Sequence, residues 1–176
     1  MLAAGWLWVA IAFFAHRYAT INWAAVWFAR AFGLEAVLLL AVGVVAGRIR
    51  FDAPSPLSRR VGASLVLFAL VVEPFVALLA GRGWRQAEAF GVLPDPTAIA
   101  TLGFLLLARF RGRWSLLLVP AVWCGVSGAT LLALKSPIWW VAPAAAVVAF
   151  LAMAAFAATG MAARQKEKGA PRGAPD

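Results

Sequence analysis

Residues 65–81 read LVLFALVVEPFVALLAG, an apolar run interrupted by Glu73 and the Pro74 that follows it. A helix rises about 1.5 Å per residue, so this stretch, extended upstream to Val61, is long enough to cross a bilayer core of roughly 30 Å. At helical spacing Gly62, Val66, Ala69, Glu73, Ala77 and Ala80 share one face, while Phe68, Val71, Phe75 and Leu78 occupy the other. The large side chains then face lipid, and the small ones, with Glu73, face the interior of a bundle. A lone ionised carboxylate in hydrocarbon is costly, so Glu73 is expected to be protonated, paired or facing water. Pro74 removes the amide bond to Leu70, and a bend there would leave a carbonyl beside the carboxyl group.

The rest of the chain has the same character. Of its 176 residues, 64% are hydrophobic and only 13% charged, with a mean hydropathy of +0.88, far more apolar side chain than a water-soluble domain buries. The net charge of +9 does not point to nucleic acid, because the Lys and Arg residues sit in short clusters between apolar runs and form no basic face. One Cys, Cys124, and one His, His16, exclude a disulfide framework and a Cys/His zinc cage, and no cofactor motif is present. The N-terminus, MLAAGWLWVAIAFF, lacks a basic lead and a cleavage site, so it reads as a retained span.

Five further segments meet or approach the length of a span: Leu2 to Ala15, extendable to Tyr18; Phe28 or Phe32 to Gly47; Trp114 to Leu134; Trp139 to Ala162; and a short one, Thr97 to Phe110. The last starts sharply at Pro94-Asp95-Pro96-Thr97, where Asp95 or Thr97 can cap the free amides. The expected fold is all-α, a polytopic transmembrane helical bundle of about six spans, or five with Thr97–Phe110 re-entrant. Either count places eleven Lys or Arg on one side against five on the other, so the positive-inside rule orients each topology without choosing between them. A crossing segment ending in an Arg cluster at an interface favours six, with both termini cytoplasmic. Most of the Trp residues fall near span ends as interfacial anchors. Residues 1–162 form the membrane domain, and the tail from Ala163, charged and rich in Gly and Pro, is expected to be a disordered cytoplasmic segment.

Helix contacts in lipid depend on small residues and on polar groups that find partners. Gly43 and Gly47 on the second span, and Gly125 and Gly128 on the fifth, are the expected packing positions. The candidate intramembrane polar site comprises Glu73 and Pro74, with His16, Arg17 or Arg30 as partners from the outer side, and Glu35. Arg30 and Glu35 are five apart, a poor spacing for a direct pair, so each is expected to seek a partner elsewhere, or Arg30 belongs to a short interfacial helix carrying Trp23 and Trp27. Such a site would handle a proton, a cation or a ligand; the plainer reading of Glu73 is a buried bond that fixes packing. The stretch from His16 to Trp23 mixes polar and aromatic groups, fit for an ordered turn between spans or a ligand entrance. Gly125-Val126-Ser127-Gly128 matches the pattern around the nucleophile of rhomboid-type intramembrane proteases, but His16 lacks that family's setting for the base, and a serine bonding back to its own helix explains the match better. No paired carboxylates and no HExxH motif occur, so no catalytic residue and no enzyme activity is expected.

Three stretches taken together, HRYATINWAAVWFARAFGLEAVLLL, FGVLPDPTAIATLGFLLLARF and LLLVPAVWCGVSGATLLAL, resemble a bacterial multi-pass membrane family known only as a domain of unknown function, number sixty sixty-four. The likeness runs from about Trp6 to Ala146, and its most specific part lies between Phe90 and Gly103. It implies an integral protein of a bacterial inner membrane, with no activity, cofactor or catalytic residue to carry over. Members usually begin with an additional span and carry an uncharged residue where this chain has Glu73. Sequence alone therefore leads to an inner-membrane bundle with an interaction or accessory role, working against lipid and as a homo-oligomer or with a membrane-protein partner. A small transporter using a polar pocket around Glu73 is the alternative, and an intramembrane enzyme comes third.

Overall fold

A computed structural model describes residues 1–51, 55–79, 90–110 and 112–169. The expected span end at Ala80, the anchor Trp84, Arg82, Arg85, Arg111 and the end of the tail, 170–176, lie outside the described residues. The described chain is helical. Helix α1 (Leu2–Trp8) continues as a π-helix over Val9–Arg17, and α2 (Ala25–Leu40) continues likewise over Ala41–Val45. Helices α3 (Pro56–Leu67) and α4 (Glu73–Leu79) are joined by a π-helical turn, Phe68–Val72. Then follow α5 (Pro94–Leu107), α6 (Arg113–Ala133) and α7 (Val141–Gly169). Three stretches, Ala25–Val45, Arg113–Ala133 and Val141–Ala158, are long and apolar enough to cross a membrane. Helix α7 continues to Gly169, past the boundary at 162 where the tail was expected to leave it.

Local chemistry explains the ends. Ser55 caps α3 by accepting from Ser58 N at 3.1 Å, and Pro56 occupies the first turn, where its missing N–H costs nothing. At α5 the expected caps act otherwise. Leu93 is the cap residue and makes no side-chain bond; Thr97 Oγ1 donates to Leu93 O at 2.7 Å and accepts from Gly91 N at 2.8 Å, folding the preceding loop back on the helix. Pro74 breaks α3–α4 less than expected. The wider turn just before it, in which Glu73 N donates to Phe68 O, absorbs the missing donor, a usual way for a helix to accommodate proline.

The shortest expected segment is the centre of the molecule. Helix α5 is buried nearly throughout, from Pro94 to Leu106, and packs against α1, α3, α6 and α7. Its closest neighbour is α3, which runs antiparallel: a Cβ on Gly103 would lie 2.7 Å from Gly62 O, and one on Gly62 would lie 2.8 Å from Gly103 O. Only glycine at both positions lets the backbones meet this closely. On the other side, Trp6 of α1 donates from Nε1 to Thr101 Oγ1 at 2.8 Å, a buried bond. The rings of Trp6, Phe14, Phe32 and Trp123 then tie α1, α2 and α6 together, with centroids 4.3–5.3 Å apart.

The two ends of the bundle differ. At one, Arg109 N donates to Arg50 O at 2.7 Å, an antiparallel bridge that brings the segment after α2 beside the end of α5. At the other, the α1–α2 turn meets the first turn of α5 and the last turns of α6 around a cavity. Helix α1 lies toward the cavity end: Gly5 approaches Gly91 and Thr97, while Tyr18 borders the cavity.

Candidate functional site

Glu35 lies on the same face of α2 as Phe32, Ala36 and Leu39, which are all buried. It is 0% exposed, and neither Oε1 nor Oε2 has a hydrogen-bond partner. Arg30, five residues earlier, is rotated about 140° around the helix at 100° per residue. It is exposed, and its guanidinium sits 4.7 Å above the Trp27 ring. The nearest cation in sequence is thus committed to the surface, and among the described residues the carboxyl group has no hydrogen-bond partner. Such a group persists only neutral, or with a cation brought to it.

Glu73 is also buried, at 4% exposure, on the face it shares with Gly62, Leu65 and Ala69. It lies within electrostatic range of Cys124, as does Asp95. The expected partners from the outer side are elsewhere: His16 and Arg17 are exposed at the end of the π-helical part of α1, and Arg30 is on Trp27. The structure therefore does not gather His16, Arg17, Arg30, Glu35, Glu73 and Pro74 into one cluster. It holds Glu35 and Glu73 as separate buried acids on different helices.

A third acid joins them at the cavity end. Asp95, in the first turn of α5, accepts from Trp123 Nε1 at 2.7 Å and from Ser127 Oγ at 2.6 Å, both on α6. An acid there also favours the positive end of the helix dipole. Ser127, expected to bond back to its own helix, instead links two helices, and its hydroxyl proton is directed to a carboxylate; His16 is not in contact with it. Beside this constellation is a cavity of about 270 Å³, lined by Phe13, Tyr18, Asn22, Asp95 and Trp123 among others. Asn22 shapes the turn from within: its Nδ2 donates to the Tyr18 hydroxyl at 3.2 Å and its Oδ1 accepts from Ala24 N at 2.9 Å. The polar stretch after His16 is therefore both an ordered turn and one wall of a cavity.

The glycines divide by environment. Gly128 meets Pro143, whose Cδ would be 2.9 Å from an added Cβ, and Trp139 O at 3.0 Å, so it permits the α6–α7 contact. Gly43 touches only Ile49 of its own following loop, Gly47 takes a left-handed turn at φ 55°, and Gly125 faces open space. Among the described residues, a Cβ added at any of these three would meet no other helix. The Gly62–Gly103 approach joins two helices instead. Among the described residues, no three His, Cys, Asp or Glu side chains are grouped to hold a metal.

Residues 1–164 match the model of a family described as a family of unknown function, DUF6064. The chain belongs to DUF6064. No curated protein and no solved structure matches it. The description gives DUF6064 no activity, so what its fold does must be read from side chains. In this member those are the buried Glu35, the buried Glu73, and the Asp95–Trp123–Ser127 constellation beside its cavity.

Proposed function

We propose that this protein is a small membrane carrier in which Glu35 takes up and releases a proton inside the helix bundle. The observation that carries this reading is the burial of Glu35 with no partner for either oxygen. An acid placed so lowers stability, and a chain under no functional demand would replace it with an apolar residue of similar size. Movement of α1–α2 against α5 and α6 would expose the group alternately, and the cavity between Tyr18 and Asp95 is the natural entrance from one side. The accessory reading assigns Glu35 no task and ranks second. The Ser127–Asp95 hydrogen bond reads as a link between α5 and α6, so an intramembrane enzyme ranks third.

A six-span arrangement in a bacterial inner membrane, with the arginine-rich end cytoplasmic, accompanies this proposal. The charge count supports the orientation alone, and the Arg50–Arg109 bridge, which puts the segments before α3 and after α5 at one end, supports a crossing α5. A single bundle leaves little room for a pathway, so a homo-oligomer is the expected working unit. The test is proton flux into liposomes that hold the full chain and a trapped pH-sensitive dye, driven by a potassium diffusion potential. The native protein is expected to acidify the lumen faster than protein-free vesicles, and Glu35→Gln to return the rate to theirs. Native flux equal to that of empty vesicles, or undiminished flux in Glu35→Gln, overturns the reading.

A further inference from the structure

The end of the bundle opposite the cavity carries arginines that topology alone does not arrange. Arg50 and Arg109 are directly opposite each other in an antiparallel bridge, with Arg109 N donating to Arg50 O at 2.7 Å. Side chains so paired project from the same face with Cβ atoms about 5 Å apart, where like charges repel. Both are exposed, so the repulsion is not relieved by a buried acid. The bridge is pinned by Phe51, whose ring meets Phe104 of α5 edge-on at 6.4 Å. A third arginine, Arg113, lies close enough to Arg109 to feel its charge, yet it is only 8% exposed, and its guanidinium rests 4.7 Å over the Phe156 ring. Helix α6 starts at Arg113 with no side-chain cap on its first amides, after Gly112 in a left-handed turn at φ 84°. Among the described residues, none of Arg50, Arg109 and Arg113 makes an ion pair.

A positive-inside signal needs only cations near the interface; it needs neither a backbone bridge that pairs two of them nor a third held half-way into the protein. Two exposed arginines paired across a backbone bridge, with a third at the start of a helix whose first amides carry no side-chain cap, suit an anion with several oxygens. The exposed Trp114 next to Arg113 and the exposed ring edge of Phe51 put that anion at headgroup depth. We propose that Arg50, Arg109 and Arg113 form a binding site for a phosphate group, carried either by an anionic lipid or by a soluble phosphate.

The test measures thermal unfolding and binding of the full chain in nanodiscs of phosphatidylcholine, with phosphatidylglycerol or cardiolipin added in one arm and inorganic phosphate or pyrophosphate in the other. Binding is expected in at least one arm, and Arg50→Gln with Arg109→Gln is expected to weaken it about tenfold or more, since two charge-assisted bonds are lost. Both side chains are exposed and the bridge uses backbone atoms, so this variant keeps the fold. Arg59→Gln with Arg60→Gln, exposed arginines on the first turn of α3, serves as the control and is expected to change binding by less than about twofold. Response to lipid alone identifies a headgroup site, and response to free phosphate alone a soluble ligand. No binding in either arm, or equal losses in the two double variants, overturns the proposal, the latter by reducing the site to diffuse charge.

Discussion

Replacing Gly103 by alanine puts one methyl group where two helix backbones meet. Its carbon would lie 2.7 Å from Gly62 O, 2.8 Å from Val66 Cγ2 and 2.9 Å from Val66 N. Ordinary contacts begin near 3.4 Å, and two of these three atoms are backbone, which cannot rotate aside. The helices α3 and α5 must therefore separate by roughly half an ångström, a gap that forfeits a quarter or more of each dispersion contact along the seam. Overpacking of this kind costs about 1–3 kcal/mol, and the backbone clash places it at the upper end, about 3 kcal/mol. Alanine's better helix propensity returns about 1 kcal/mol, leaving a net loss of about 2 kcal/mol. For a chain of this size that lowers the midpoint by about 4–8 °C, measured by thermal unfolding in one mild detergent. Gly62→Ala, with Gly103 O at 2.8 Å, should behave alike, and the double variant should lose less than the sum, because one separation accommodates both methyl groups. An unchanged or raised midpoint for Gly103→Ala would show that α3 and α5 do not meet through these glycines.

Gly125→Ala is the opposite case: among the described residues nothing lies within 4 Å of the added carbon, so the helix-propensity gain stands alone and stability rises by about 0.5–1 kcal/mol, read in the same unfolding assay. Thr101→Val strands the buried Trp6 Nε1–H and is expected to cost about 1–3 kcal/mol, with Thr101→Ser retaining most of the stability because it keeps the acceptor. Ser127→Ala removes one of the α6 donors to Asp95 and is expected to cost about 1.5–3 kcal/mol; a neutral result would mean that this bond does not couple α5 to α6.

How much of this was readable beforehand follows from what each signal measures. Helical spacing identified Gly62, Ala69 and Glu73 as one buried face, because the period of a helix is a local property; Val66 is only partly buried, and the side chains of Ala77 and Ala80 lie outside the described residues. The prolines at 94 and 96 marked the neighbourhood where α5 starts, but the helix begins at Pro94 with Leu93 as its cap, three residues before the expected start at Thr97. That α5 is the central helix was not legible: its hydropathy is equally high whether it faces lipid or protein, and its shortness left a crossing or a re-entrant segment open, with crossing favoured. Burial inside a bundle lets a helix be short, since its neighbours shield its ends. Asp95 looked like a cap because its neighbours in sequence are prolines, whereas its partners are 28 and 32 residues away on α6. Gly43, Gly47 and Gly125 were chosen for spacing, and spacing cannot show whether another helix is opposite. The spacing of Arg30 and Glu35 already set them on different faces, yet only the fold shows that Glu35 is buried with no hydrogen-bond partner for either oxygen.

The central claim is that Glu35 is kept at a cost to stability. The direct measurement is thermal unfolding of the native chain against Glu35→Leu in a mild detergent at neutral pH. Leucine fills a similar volume and removes a polar group that has no partner, so the account predicts a midpoint equal to the native value or higher, the gain reaching about 1–4 kcal/mol. A midpoint lowered by several degrees would contradict it, since the carboxyl group would then be satisfied in the folded protein and serve the fold itself.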